Sequence, residues 1–171
     1  MNFVYHRVPS QLEGNTLYPL NRLKDLYPKL YEQQAAKYAG REEIPGWHIE
    51  PLDCLWNDVL FLSPVEPHSI RQAMIEACYD FPPMRFFKIP ACMLDPAQTV
   101  IRHYRRRRID PPRYDAYDPC TIDRYAPLSP ETVENYRSVL ARGERPFVFL
   151  HVPHILYKGT LGVAGLAILE V

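Results

Sequence analysis

Phe3-Val4-Tyr5-His6-Arg7-Val8 is an apolar run with two adjacent ionisable side chains at its centre. Its β-branched and aromatic residues predict a strand. Successive strand side chains point to opposite faces, so Val4, His6 and Val8 share one face while Phe3, Tyr5 and Arg7 share the other. Only one of His6 and Arg7 can then look into a given cleft. Two readings follow: a cation on the opening strand that meets a ligand, or an edge strand with Arg7 in water and His6 hydrogen-bonded inside. A second apolar stretch, over 54–64, carries a related pattern. Asn57 and Asp58 interrupt its start and Ser63 stands at its exit, where loop-end groups often reach a site.

Composition bounds what surrounds these strands. A length of 171 residues with 47% hydrophobic content suits one globular domain, 1–171, with a full core. Twenty Lys and Arg offset twenty Asp and Glu, so any affinity for nucleic acid or an anionic membrane has to come from a local patch. The chain opens on no basic, apolar and small-residue series, and no apolar run is long enough to span a bilayer. The expectation is therefore a cytoplasmic protein with no membrane partner. Cys54, Cys78, Cys92 and Cys120 have neither zinc-ligand nor redox spacing, which predicts four reduced thiols. Eighteen prolines against seven glycines predict short elements joined by stiff connections.

The punctuation divides the rest. Leu23, Leu26, Tyr27, Leu30, Tyr31 and Tyr38 recur at helical spacing, but Pro28 falls inside the stripe. A short helix should end near Tyr27 and a longer one begin at Pro28, where a first-turn proline is tolerated. A short strand is expected over 47–52, a firm one over 59–62, and a helix from Pro67 burying Ile70, Ala73, Met74 and Ala77. Strands are expected over 85–89 and 99–104, with a polar, proline-rich loop over 105–120. Ser129 should cap a helix that has Pro130 in its first turn, carries Val133, Tyr136 and Leu140 inward, and stops at Gly143. Three short strands, over 147–152, 155–157 and 166–171, complete an α+β pattern: a mixed, mainly antiparallel sheet with flanking helices.

The one strong charge feature is Arg102-His103-Tyr104-Arg105-Arg106-Arg107-Arg108, with Arg113 and Tyr114 beyond it. Arginine forks bind phosphate bidentately and interleaved tyrosines can stack on bases, so Arg102, Arg105, Arg106, Arg107 and Arg108 are candidate nucleic-acid contacts. The competing reading is a solvated loop neutralised by Asp110, Asp115, Asp118 and Asp123. His151 and His154 flank Pro153 at a strand end without a completing cysteine or carboxylate, so no metal site is expected. Phosphate-cradling glycine loops, a nucleophile elbow and paired metalloprotease histidines are missing. That lowers the standing of triphosphate hydrolysis, serine hydrolysis and zinc peptidase chemistry. Glu144 lies just before the expected strand over 147–152, either as a carboxylate at the lip of a sheet or as part of an ordinary charged connection.

The blocks Val4-Tyr5-His6-Arg7, Leu17-Tyr18-Pro19-Leu20-Asn21, Cys54-Leu55-Trp56-Asn57-Asp58-Val59-Leu60 and Pro153-His154-Ile155-Leu156-Tyr157-Lys158-Gly159 resemble those of a group of short uncharacterised bacterial proteins. The order of features is also similar to the ADP-ribosyltransferase superfamily: a first strand with His or Arg, a loop and helix, a second strand ending in serine, then a late acid beside an apolar strand. This resemblance implies a split sheet gripping NAD as substrate. His6 or Arg7 would bind the adenosine ribose or pyrophosphate, Ser63 would support the nicotinamide-side pocket, and Glu144 would be the catalytic acid. It implies a transferase of toxin or effector type, with a protein, DNA or RNA acceptor and a cognate antitoxin as partner. A preorganised carboxylate in a dry cleft would stabilise the positive charge that develops on the sugar as the nicotinamide bond breaks. The chain departs from the pattern in two places: Glu144 lacks the acid two residues earlier, and Tyr5-His6-Arg7 is not followed by a glycine-threonine pair. The rival reading is a non-catalytic module that presents the Arg102–Arg108 strip to nucleic acid or protein. A third is a structural or immunity-type partner protein.

Overall fold

Alternating side chains make the opening run a strand, β1 (Phe3–Arg7), in a computed structural model that describes residues 1–104 and 110–171. Then come the two-residue strand β2 (Thr16–Leu17) and the helices α1 (Leu20–Leu26) and α2 (Pro28–Ala35). The helices break between Leu26 and Pro28, as the missing proline N–H requires. A small ribbon, β3 (His48–Ile49) with β4 (Cys54–Leu55), leads into β5 (Leu60–Leu62) and α3 (Pro67–Glu76). Beyond them lie β6 (Arg85–Pro90), β7 (Thr99–Arg102), β8 (Tyr114–Ala116), α4 (Pro130–Ala141), β9 (His154–Tyr157), β10 (Leu161–Gly162) and β11 (Ala167–Glu170).

These strands form two main sheets, ordered β1-β6-β11 and β5-β9-β7-β8, with β2–β10 and β3–β4 as separate ribbons. Every pairing among the described residues is antiparallel, where a mixed sheet was expected. The two sheets meet at one point: Tyr5 and Ser63 exchange both backbone hydrogen bonds, each 2.8 Å long.

Neighbouring residues of one strand show which core lies on which side. Phe87 of β6 joins Val4, Leu60, Leu62, Ile101 and Ile155 in one core, whereas adjacent Phe86 joins Ile70, Met74 and Tyr136 under α3 and α4. A third cluster, Ile49, Val59, Val100 and Leu156, fills the space between the second sheet and the β3–β4 ribbon. Both longer helices are capped by side chains that satisfy free N–H groups at their starts. The Glu66 carboxylate accepts from the His68 and Ser69 amides at 3.0 and 3.3 Å, and Ser69's helix places Pro67 in its first turn. Ser129 Oγ accepts from the Thr132 amide at 3.1 Å.

Two expectations need correction. Residues 147–152 form no strand. Their backbone turns, with hydrogen bonds from Leu150 N to Phe147 O and Val152 N to Phe149 O, and His151 takes a left-handed φ of +66°. The carbonyls that a ladder would have used are taken by α4: Tyr136 Oη donates to Val148 O at 2.6 Å and Thr132 Oγ1 to His151 O at 3.2 Å. The expected loop over 105–120, conversely, contains β8, whose polar Tyr-Asp-Ala sequence hides a strand paired with β7.

The Tyr136 ring is fully buried and its hydroxyl pins the turn, so Tyr136→Phe should leave the Val148 carbonyl short of a donor. A loss of about 1–3 kcal/mol is expected, read as a lower urea midpoint at unchanged m-value. An unshifted midpoint would mean that the turn does not depend on this bond.

Candidate nucleic-acid interface

Of the residues assigned to NAD chemistry, Ser63 pairs with Tyr5 beside His6, whereas the alternation of the sheet puts His6 and α4 on opposite sides. His6 pairs across from Phe87 and shares its face, the face away from α3 and α4. There it lines a cavity of about 70 Å³ with Leu12, Leu17, Leu23, Leu30 and Leu60, well short of the roughly 300 Å³ at which small-molecule sites begin. Its Nδ1 lies 2.6 Å from Arg7 O, and desolvation pushes its pKa down to about 4. The imidazole is therefore neutral and half-buried, while Arg7 is exposed.

Ser63 is buried, and its hydroxyl turns back on its own chain. It accepts from Val65 N at 3.0 Å and donates to Val65 O at 3.2 Å, shaping the turn into α3. Glu144 sits on an exposed connection after α4, and Arg142 reaches both of its oxygens at 3.1 and 3.3 Å. This bonded guanidinium holds the carboxyl below the usual carboxylate range. With no strand over 147–152, Glu144 stands at no sheet lip, and α4 lies on the opposite side of the first sheet from His6. His6 and Glu144 therefore stand on opposite sides of the first sheet.

A different set of residues does converge. The β3–β4 ribbon pairs His48 with Leu55, and the next amide, Trp56 N, donates to Trp47 O at 2.8 Å. That bond fixes the chain's two tryptophans against each other, with ring centroids 5.6 Å apart and planes at 73°. Phe61 supports Trp56 from behind at 4.7 Å. Opposite them, Arg102 of β7 pairs with Tyr114 of β8, so both side chains leave the ladder on the same face. The Arg102 guanidinium rests 4.9 Å from the centre of the Trp56 ring, within the range of cation–π attraction. Trp47, His48, Trp56, Arg102, Pro112 and Tyr114 together wall a cleft of about 240 Å³. Neither comparisons with protein-family models nor searches of curated proteins and solved structures found a match.

The surroundings set the charge of this cleft. His154 lies across the ladder from Arg102, and desolvation, aided by that guanidinium, pushes its pKa down to about 4. It is neutral near pH 7. The candidate contacts Arg105, Arg106, Arg107 and Arg108 lie outside the described residues. In sequence they belong to the connection between β7 and β8, two strands that pair with each other.

Of the four aspartates expected to neutralise the strip, Asp115 lies 3.9 Å from Arg113 while Asp118 is turned to its own loop. Asp115 takes a 2.6 Å hydrogen bond from Tyr125 and lies 2.8 Å from His103 Nε2, contacts that hold its pKa below the ordinary value. Asp118 caps a turn, accepting from Cys120 N at 2.9 Å and Thr121 Oγ1 at 3.0 Å. His151 stacks on Tyr104 at 3.7 Å while His154 sets its edge against Phe61. Among the described residues no group of three or more His, Cys, Asp or Glu could hold a metal ion, and no helix is long and apolar enough to cross a membrane.

The two tryptophans are candidate site residues that the sequence reading did not single out. Their signal was available: both fall in the short, polar segment between the tyrosine-rich helices and β5, where a core role for two large rings is hard to place.

His6 and His154 both have folded pKa values near 4 against about 6.5 when unfolded. Between those values the unfolded chain binds more protons, so stability present above pH 6.5 is lost as pH falls toward 4. The urea midpoint should therefore decline across that window, and the double variant His6→Leu, His154→Phe should show a flatter slope. A wild-type midpoint that does not move over the window would show that these imidazoles are not held neutral.

Proposed function

We propose that this chain is a nucleic-acid-binding module that holds the phosphate backbone along the arginine-rich connection between β7 and β8. The observation that carries this reading is the antiparallel pairing of those two strands. Arg102 and Tyr114 stand opposite each other in the ladder, so the connection carrying Arg105–Arg108 leaves from and returns to the rim of the aromatic cleft. Guanidinium groups bind phosphate oxygens in forked pairs, and aromatic faces beside them accept bases, the combination used by single-strand binders. Balanced net charge is compatible with this, because a local cluster acts over roughly 10 Å at ordinary ionic strength whatever the total. The NAD-transferase reading has less support, since His6 and Glu144 stand on opposite sides of the first sheet.

Fluorescence anisotropy with a labelled oligonucleotide tests the proposal. Binding should weaken steeply between about 50 and 200 mM salt. Replacing Arg105, Arg106, Arg107 and Arg108 together by alanine should reduce the slope of log K against log salt by about 3, at roughly 0.7 per phosphate contact. Absence of binding at low salt, or full affinity in the variant, would reject the strip. A thermal shift with NAD and none with oligonucleotide would favour the transferase reading instead.

A further inference from the structure

We infer that the cleft between Trp47, Trp56 and Tyr114 receives one unpaired nucleobase, which makes the module selective for single strands. This rests on the nucleic-acid reading above and adds to it a ligand class and a pocket.

Size is the first argument. About 240 Å³ is less than most drug-sized sites offer, yet ample for one flat ring system, and it leaves no room for a dinucleotide. Shape is the second. Trp47 and Trp56 meet nearly at right angles, and Arg102 and Phe61 already pack on Trp56, so a planar guest lies against the face of Trp47 while Trp56 closes its edge. In a duplex both faces of a base are covered by its neighbours, and only an unpaired base can offer a face to tryptophan.

Charge decides between occupants. Aromatic-walled pockets also attract quaternary ammonium groups. Here the Arg102 guanidinium already lies over Trp56, and a second cation would be repelled by it. A neutral ring attached to an anionic backbone suits the same arrangement: the ring stacks, and the phosphate that follows it approaches Arg102. A partner peptide with an exposed aromatic side chain would supply the ring without the anion.

Because the chain has only two tryptophans and both wall this cleft, intrinsic fluorescence reports its occupancy directly. The test titrates the full chain with three ligands of equal length: a single-stranded oligonucleotide, a blunt duplex, and a single strand with abasic sites throughout. The single strand should quench tryptophan emission and bind about tenfold or more tighter than either of the others, the loss expected when one stacked base is removed.

Trp47→Leu should abolish that preference while leaving the salt slope unchanged, with circular dichroism to confirm folding. Trp56 packs on the core and carries Arg102, so Trp56→Leu should lose the preference together with part of the salt slope. Equal, salt-dependent affinity for all three ligands would overturn the base pocket and leave the phosphate strip standing. Failure of every ligand to bind would remove the underlying reading as well. Quenching by tetramethylammonium but not by the single strand would assign the cleft to a cation.

Discussion

The exchange of two backbone hydrogen bonds between Tyr5 and Ser63 is the joint on which the rest of this fold depends. It is a single pair, not a ladder, yet it aligns the faces of two sheets so that Val4, Leu60, Leu62, Phe87 and Ile155 share one core. Buried backbone groups must find partners, and at this seam each partner comes from the other sheet. Ser63 then has to release the chain toward α3 within two residues. Its hydroxyl does this by bonding both the amide and the carbonyl of Val65. A serine that resembles a ligand contact in sequence is thus used up in holding the seam.

The same joint brings Ser63 beside the His6 strand and leaves Glu144 apart from both. Once the sheets are aligned, the period-two alternation assigns His6 to the core containing Phe87 and leaves α3 and α4 on the other side with Phe86. A residue following α4 can meet His6 only by passing the sheet edge, and Glu144 instead pairs with Arg142 two positions before it. The position at which many protein-modifying transferases carry a second acid holds a base here, and that base occupies the carboxylate.

Much of the fold was legible because local rules and tertiary packing agree. The break at Pro28, the serine and proline that open α4, and the apolar stripe of α3 each follow from backbone chemistry that no distant contact overrides. The strand expected over 147–152 failed for a reason invisible in a local window: Tyr136 and Thr132, on the preceding helix, take the carbonyls a neighbouring strand would need. Tyr114-Asp115-Ala116 was missed from the other direction. Its polar composition fits a loop, but the pairing partner lies beyond the arginine run and supplies the ladder. The site followed the same pattern: Arg102 was readable as a cation, whereas its meeting with Trp56 requires β3, β4, β7 and β8 to be in place.

The local electrostatics give the cleft its character. A guanidinium beside an aromatic face keeps its charge at any ordinary pH, whereas a histidine in the same position would lose it on burial. His154 illustrates this directly across the ladder, where desolvation and the Arg102 charge together keep its ring neutral. The cleft therefore presents a permanent positive charge against a π-surface, with no titratable group near neutrality directly across the ladder to weaken it. Attraction to a phosphate at this spot should be governed by ionic strength. A balanced chain can still attract a polyanion through a local cation, and Arg102 beside Trp56 is such a cation.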